Sequence, residues 1–136
     1  MPKAAKILDL GCGIGVPFDK YLVEKGLQVT GNDFASNHIK AAKRNVPEAT
    51  FIEGDFSKTD FGGERFNAII AMYSVFHIPR EEQQELFNKM HDLLEDRGVI
   101  LVTLGTSNTD GIEEDWAGAP MAWSNYDPAL YKAMIA

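Results

Sequence analysis

Short apolar, β-branched runs alternate along the chain with segments whose apolar positions recur at helical spacing. Residues 4–10 read as a buried strand that ends at a glycine cluster, and Pro17 suits the first turn of a helix. Phe18, Tyr21, Leu22 and Lys25 share one face of that helix, and Gly26 ends it. A second strand is expected over 27–32. Ser36 is placed to cap a helix over 36–45, with Ile39 and Ala42 inward and Pro47 as the stop. Residues 49–53 read as a third strand, followed by a helix-poor stretch around Gly62-Gly63, and 66–71 as a nearly all-apolar fourth. The strongest helical pattern covers 80–95: Leu86, Phe87, Met90, Leu93 and Leu94 form one stripe, Glu81 and Glu82 sit near the N-terminal end, and Gly98 closes it. A fifth strand is expected over 99–104. Beyond it come a polar loop (105–111), the acidic cluster Glu113-Glu114-Asp115, an aromatic segment (116–126), and Asp127-Pro128 as the start of a last helix.

Continuous apolar strands between amphipathic helices predict an α/β fold with a parallel sheet covered on both faces. Right-handed crossovers favour an open doubly wound sheet, with a ligand crevice at the carboxyl ends of the strands. The 136 residues suit one domain, 1–136. No apolar run reaches the ~18 residues of a membrane span, and the first residues have no signal-peptide core. A net charge of −7 argues against a nucleic-acid partner, and Lys40, Lys43 and Arg44 read as a solvated helix face. The single cysteine, Cys12, excludes an internal disulfide and fits a reducing, cytoplasmic setting.

Three motifs fall at the same end of the expected sheet. Asp9-Leu10-Gly11-Cys12-Gly13-Ile14-Gly15 stands where the first strand turns into a helix, and its glycines allow close backbone approach to a ligand. Its spacing is G-x-G-x-G, with Val16 where the dinucleotide fingerprint has a third glycine. Asp33 ends the second strand, 18 residues past Gly15, and a carboxylate there has acceptors for both hydroxyls of a ribose. Gly54-Asp55-Phe56 follows the third strand, with an acceptor for an adenine amino group and an aromatic wall. Each alone also reads as an ordinary turn.

In order and spacing, Ile7 to Gly15, Val29-Thr30-Gly31-Asn32-Asp33 and Gly54-Asp55-Phe56 resemble successive motifs of class I S-adenosylmethionine-dependent methyltransferases of the small-molecule type. Residues 66–71 through His77-Ile78-Pro79 resemble that family's fourth strand and following loop, and 92–98 the approach to its fifth. The resemblance implies a Rossmann-like sheet of five strands in order 3-2-1-4-5, without the family's usual strands six and seven. It also implies S-adenosylmethionine as cofactor. Gly11, Cys12 and Gly13 would then lie against its methionine half, with Asp9 near the ammonium. Asp33 would hold the ribose and Phe34 flank the adenine, with Asp55 and Phe56 reading the adenine edge. Ala71 would offer its carbonyl near the sulfonium, beside Met72. Asn67 stands where the family often has aspartate, at a position with a structural role.

Methyl transfer from a sulfonium depends largely on holding the acceptor in line and excluding water. A base is needed only for a protonated acceptor, and Tyr73 and His77 are the candidates, with loop packing as the ordinary role of His77. Trp116, Met121, Trp123 and Tyr126 are candidates to wall an apolar acceptor pocket, or else ordinary core. The acidic cluster reads as a solvated loop, so no metal is expected. Two other readings compete: a nicotinamide-dinucleotide oxidoreductase domain, and a cofactor-binding piece that does not turn over. With the sheet ending at strand five, residues 99–104 form an apolar edge expected to be covered by self-association into a homo-oligomer.

Overall fold

The computed structural model describes residues 4–72, 75, 78–103, 110–116 and 119–124. Five parallel strands lie in the order β3-β2-β1-β4-β5, the sheet expected from the resemblance. They are β1 (Lys6–Leu10), β2 (Gln28–Asp33), β3 (Thr50–Glu53), β4 (Phe66–Ala71) and β5 (Leu94–Val102). Helices α1 (Phe18–Glu24) and α2 (Ser36–Asn45) join β1 to β2 and β2 to β3, and α3 (Arg80–Leu93) leads into β5. In-register pairing of Leu8 with Thr30 and Ile69, and of Ile69 with Ile100, sets alternate residues on one face. On that face Leu8, Leu10, Ile69 and Ala71 pack with Leu86, Phe87 and Met90 of α3. On the other face Ile7, Val29 and Ala68 pack with Leu22 and Val23 of α1. Ile39, Ala42 and Val46 of α2 and its end close a third cluster over Phe51.

Four details depart from expectation. The face of α1 is rotated: Phe18 and Tyr21 are exposed (42% and 58%), while Asp19, Leu22 and Val23 turn inward, at i, i+3, i+4 spacing. Lys25, expected on the same face, lies over the exposed Tyr21 ring. A helix of only seven residues takes its orientation from the glycine loop before it, which aims Asp19 at the sheet. Ser36 is the first residue of α2 rather than its cap, and the Ala35 amide is taken by Asp33 Oδ1. The helix expected to reach Glu95 ends at Leu93, because Leu94 pairs with Phe66 and its side chain joins the core. Residues between Leu94 and Val99 then bulge out of the ladder, with Arg97 in the left-handed region. A Cβ on Gly98 would meet Leu94 Cδ2 at 2.8 Å, so that glycine serves the bulge, not a helix end. Finally, part of the polar and aromatic tail is a separate antiparallel hairpin, β6 (Asp110–Trp116) and β7 (Ala119–Ser124).

Asn67 Oδ1 accepts the Lys6 backbone N–H at 2.9 Å, which gives that position the structural role expected of it. Buried Gln83 on α3 donates to the carbonyls of Val75 and Ile78, fixing the chain that follows β4. Among the described residues no helix is long and apolar enough to cross a membrane.

Candidate functional site

The crevice begins where β1 ends. Gly11, Gly13 and Gly15 have φ of 77°, 59° and 80°, a backbone path that disfavours any side chain. Gly11 and Cys12 donate their N–H groups to the Asn32 carbonyl at 2.8 and 3.0 Å, Gly13 to Asp33 Oδ2 at 2.9 Å, and Gly15 to the Cys12 carbonyl at 3.2 Å. These four amides are spent inside the protein. An anionic pyrophosphate seated on them would break one of those bonds, whereas carbonyl and carboxylate oxygens remain to face a cation. A Cβ built on Gly13 meets nothing within 4 Å, so open space lies over the loop.

Asp33, at the end of β2, is buried (6% exposed). Its Oδ2 accepts from Gly13 and its Oδ1 from Ala35 at 2.8 Å, so the carboxylate is fixed in orientation and each oxygen retains a lone pair. His38 Nδ1 stands 3.4 Å from Oδ1. Phe34, the next residue, is 81% exposed, a large aromatic surface beside a fixed carboxylate.

Asp9 lies buried behind the glycine loop. Burial first, then the neighbouring charge and hydrogen bond of Asp19 and the charge of Asp33, hold its carboxyl well above the usual range. Burial pushes Asp19 up to about 6, with its hydrogen bond to Asp9 acting the other way. Burial and the charges of Asp19, Asp9 and Asp33 likewise push the Cys12 thiol up, so it is no thiolate nucleophile.

Just past β3, Asp55 opens a turn: its Oδ1 accepts from the Ser57 amide at 2.9 Å and the Ser57 hydroxyl at 2.7 Å. The Ser57 hydroxyl holds the Asp55 carboxyl below its ordinary value. Gly54 donates to the Asp33 carbonyl at 3.0 Å, tying this turn to β2. The Phe56 side chain is half-buried and packs against the core cluster on the α3 face of the sheet, so it is not the exposed wall the sequence suggested; its carbonyl accepts from the Lys89 ammonium at 2.8 Å. At the end of β4, Ala71 is fully buried and its carbonyl accepts from Thr103 at 3.1 Å, while the Thr103 hydroxyl meets Met72 Sδ at 3.7 Å.

The structure thus brings Asp9, Gly11, Cys12, Gly13, Asp33, Phe34 and Asp55 to the carboxyl ends of β1, β2 and β3. Tyr73, His77 and Tyr126 lie outside the described residues, as does the expected last helix. Trp116 falls on β6, and Met121 and Trp123 on β7. Among the described residues no group of three His, Cys, Asp or Glu could hold a metal.

Two polar residues at this corner escape sequence reading. Asn32 is fully buried; its carbonyl receives Gly11 and Cys12, and its Nδ2 donates to the carbonyls of Ile52 and Gly54 at 2.9 and 3.2 Å. It joins the glycine loop to the Asp55 turn, and in a strand as polar as β2, Gln-Val-Thr-Gly-Asn-Asp, nothing set it apart. Asp19 is the second, hidden by an apparently apolar helix face.

An open parallel sheet with a glycine loop, a buried carboxylate held by two backbone amides and an exposed aromatic at the carboxyl ends of its strands has the crevice in which folds of this class bind their ligands. Residues 7–98 match the family described as methyltransferase domain, and the chain belongs to that family, whose methyl donor is S-adenosylmethionine. An uncharacterized methyltransferase of Synechocystis sp. is 30% identical over 95 residues, 70% of this chain and 44% of that protein. The dTDP-3-amino-3,4,6-trideoxy-alpha-D-glucopyranose N,N-dimethyltransferase of Streptomyces venezuelae is 29% identical over 104 residues, 74% of this chain and 43% of its own. The structure of PKMT2 from Rickettsia typhi in complex with AdoHcy superposes with a TM-score of 0.68 at 23% identity, over 76% of this chain and 22% of that one. The chain spans less than half the length of these curated relatives.

Proposed function

We propose that the protein binds S-adenosylmethionine across the ends of β1, β2 and β3 and transfers its methyl group to a small-molecule acceptor. One observation carries the reading: a buried carboxylate, Asp33, is fixed by two backbone amides with a lone pair to spare on each oxygen. That is what a vicinal diol requires. Around it, Asp9 would take the ammonium, with the open space over Gly13 holding the methionine half beside Gly11 and Cys12. Phe34 would stack on the adenine, with Asp55 and the Phe56 amide at its edge. The Ala71 carbonyl, which keeps a lone pair beside its bond to Thr103, would lie toward the sulfonium with Met72. The residues fit the group in chemistry: they offer carboxylates and carbonyls to a cation.

The bound cofactor supplies an activated methyl group, so the chain's part is to orient it, exclude water and hold an acceptor in line. Tyr73 and His77 are the proposed proton acceptors where the acceptor arrives protonated, and Trp116, Met121, Trp123 and Tyr126 the proposed pocket walls. A small-molecule acceptor accords with the amino-sugar relative and with a net charge of −7, which disfavours nucleic acid. A cytoplasmic setting accords with the single thiol.

A second proposal concerns assembly. Val99 and Leu101 on the edge strand β5 are 53% and 61% exposed, and self-association there would cover them. Sedimentation of wild type and Val99→Lys tests it; a wild-type monomer at all concentrations overturns it. Calorimetric titration with S-adenosylhomocysteine and with NAD tests the cofactor, and binding of NAD alone overturns the methyltransferase reading. Loss of diol-dependent binding in Asp33→Ala, with 2′-deoxy and parent nucleosides compared, tests the carrying observation.

A further inference from the structure

Asp19 stands in the first turn of α1, fully buried, and among the described residues no nitrogen or hydroxyl donor reaches either of its carboxylate oxygens. A buried charge without a partner is costly enough that it is retained only with a compensating group or a proton. The group within hydrogen-bonding range is the carboxyl of Asp9, itself 3% exposed. Two carboxylates bond to one another only with a proton between them. Among the described residues, the charged and titratable groups facing it are all acidic: Asp33 at the end of β2 and the Cys12 thiol of the glycine loop. His38 of α2 is half-exposed and meets the Asp33 carboxylate, not the pair. The corner therefore holds negative charge with no cation of its own among those residues, beside open space over Gly13.

We propose that Asp19 is a positioning residue for the cofactor's ammonium, holding Asp9 through a shared proton in the free protein and surrendering that proton when the ammonium docks on Asp9. The O–H bond of the pair breaks, the proton leaves to solvent, and a charge-assisted N–H···O bond to Asp9 takes its place. The inference rests on Asp9 as the ammonium's acceptor and adds what lies behind it. Asp19 is sealed from solvent and acts only through Asp9. Burial raises both carboxyls above the ordinary carboxylate range, which moves the exchange toward neutral pH.

Calorimetric titration of the whole chain with S-adenosylhomocysteine, from pH 5 to 8 in buffers of different ionisation enthalpy, tests this. Wild type is expected to release a proton at low pH and to gain about tenfold in affinity across that range. Asp19→Asn, whose amide can donate permanently to Asp9, is expected to release none and to give a flat profile. 5′-Methylthioadenosine, which lacks the α-amino group of the homocysteine half, is expected to bind with no pH dependence in either protein. Wild-type proton release in Asp19→Asn, or its absence in wild type, overturns the proposal. Asp9→Asn that keeps the full preference for S-adenosylhomocysteine over methylthioadenosine overturns instead the underlying reading of Asp9. Should Asp19→Asn fail to fold, the wild-type comparison of the two ligands decides alone.

Discussion

The two ends of the crevice are built in opposite ways. At the glycine-loop end, Asp9, Asp19, Asn32 and Asp33 are all buried, and four loop amides are already bonded within the protein. At the end proposed for the adenine, Phe34 is 81% exposed and the Asp55 side chain 53%, and Asp55 is held by its own turn. The first end is rigid before a ligand arrives, so binding there loses little conformational entropy. The second offers surface that becomes buried only on binding. Affinity should accordingly be lost together with stability at the first end, and without it at the second.

Four substitutions can break this contrast. Asp33→Ala removes the diol acceptor and the anchor of Gly13 and Ala35; S-adenosylhomocysteine affinity is expected to fall about 100-fold, with a lower Tm. Asp19→Asn acts on stability with the opposite sign. A carboxyl whose value is raised by folding binds its proton more tightly in the native state, so its stabilising effect is complete at low pH. That effect is lost as pH rises from the unfolded value through about 6. A neutral amide at this position escapes the loss, so thermal unfolding is expected to show the variant more stable by about 2 kcal/mol at pH 8, with the gap closing toward pH 5. Phe34→Ala is expected to cost about tenfold in affinity with no change in Tm, since only stacking on the bound ring is lost. Asp55→Ala is expected to cost a few-fold in affinity and within about 0.5 kcal/mol in stability. A fall in Tm for Phe34→Ala, or an unchanged one for Asp33→Ala, would erase the distinction.

The sheet was legible because its signals are strong and local: apolar β-branched runs such as 66–71 and glycines placed where φ must be positive. Asp33 and the Gly54-Asp55 turn followed, since a strand end locates its last residue. What escaped depends on orientation and distance. The apolar stripe of α1 named Phe18 and Tyr21, yet a seven-residue helix turns to suit its neighbours, and Asp19 was buried instead. Leu94 continued a helical stripe by period but left it to pair with Phe66, a choice made by tertiary packing. Phe56 had no periodic context, and its ring joined the core.

Lys89 of α3 reaches across to the Phe56 and Thr59 carbonyls and lies over the Phe61 ring. The segment between Asp55 and Phe61 contains no helix of its own, so this one ammonium acts as a strut from a distant element. The same helix, through Gln83, fixes the chain leaving β4. A single lever therefore spans the Asp55 turn and the chain leaving β4, and a displacement of α3 would be transmitted to both at once.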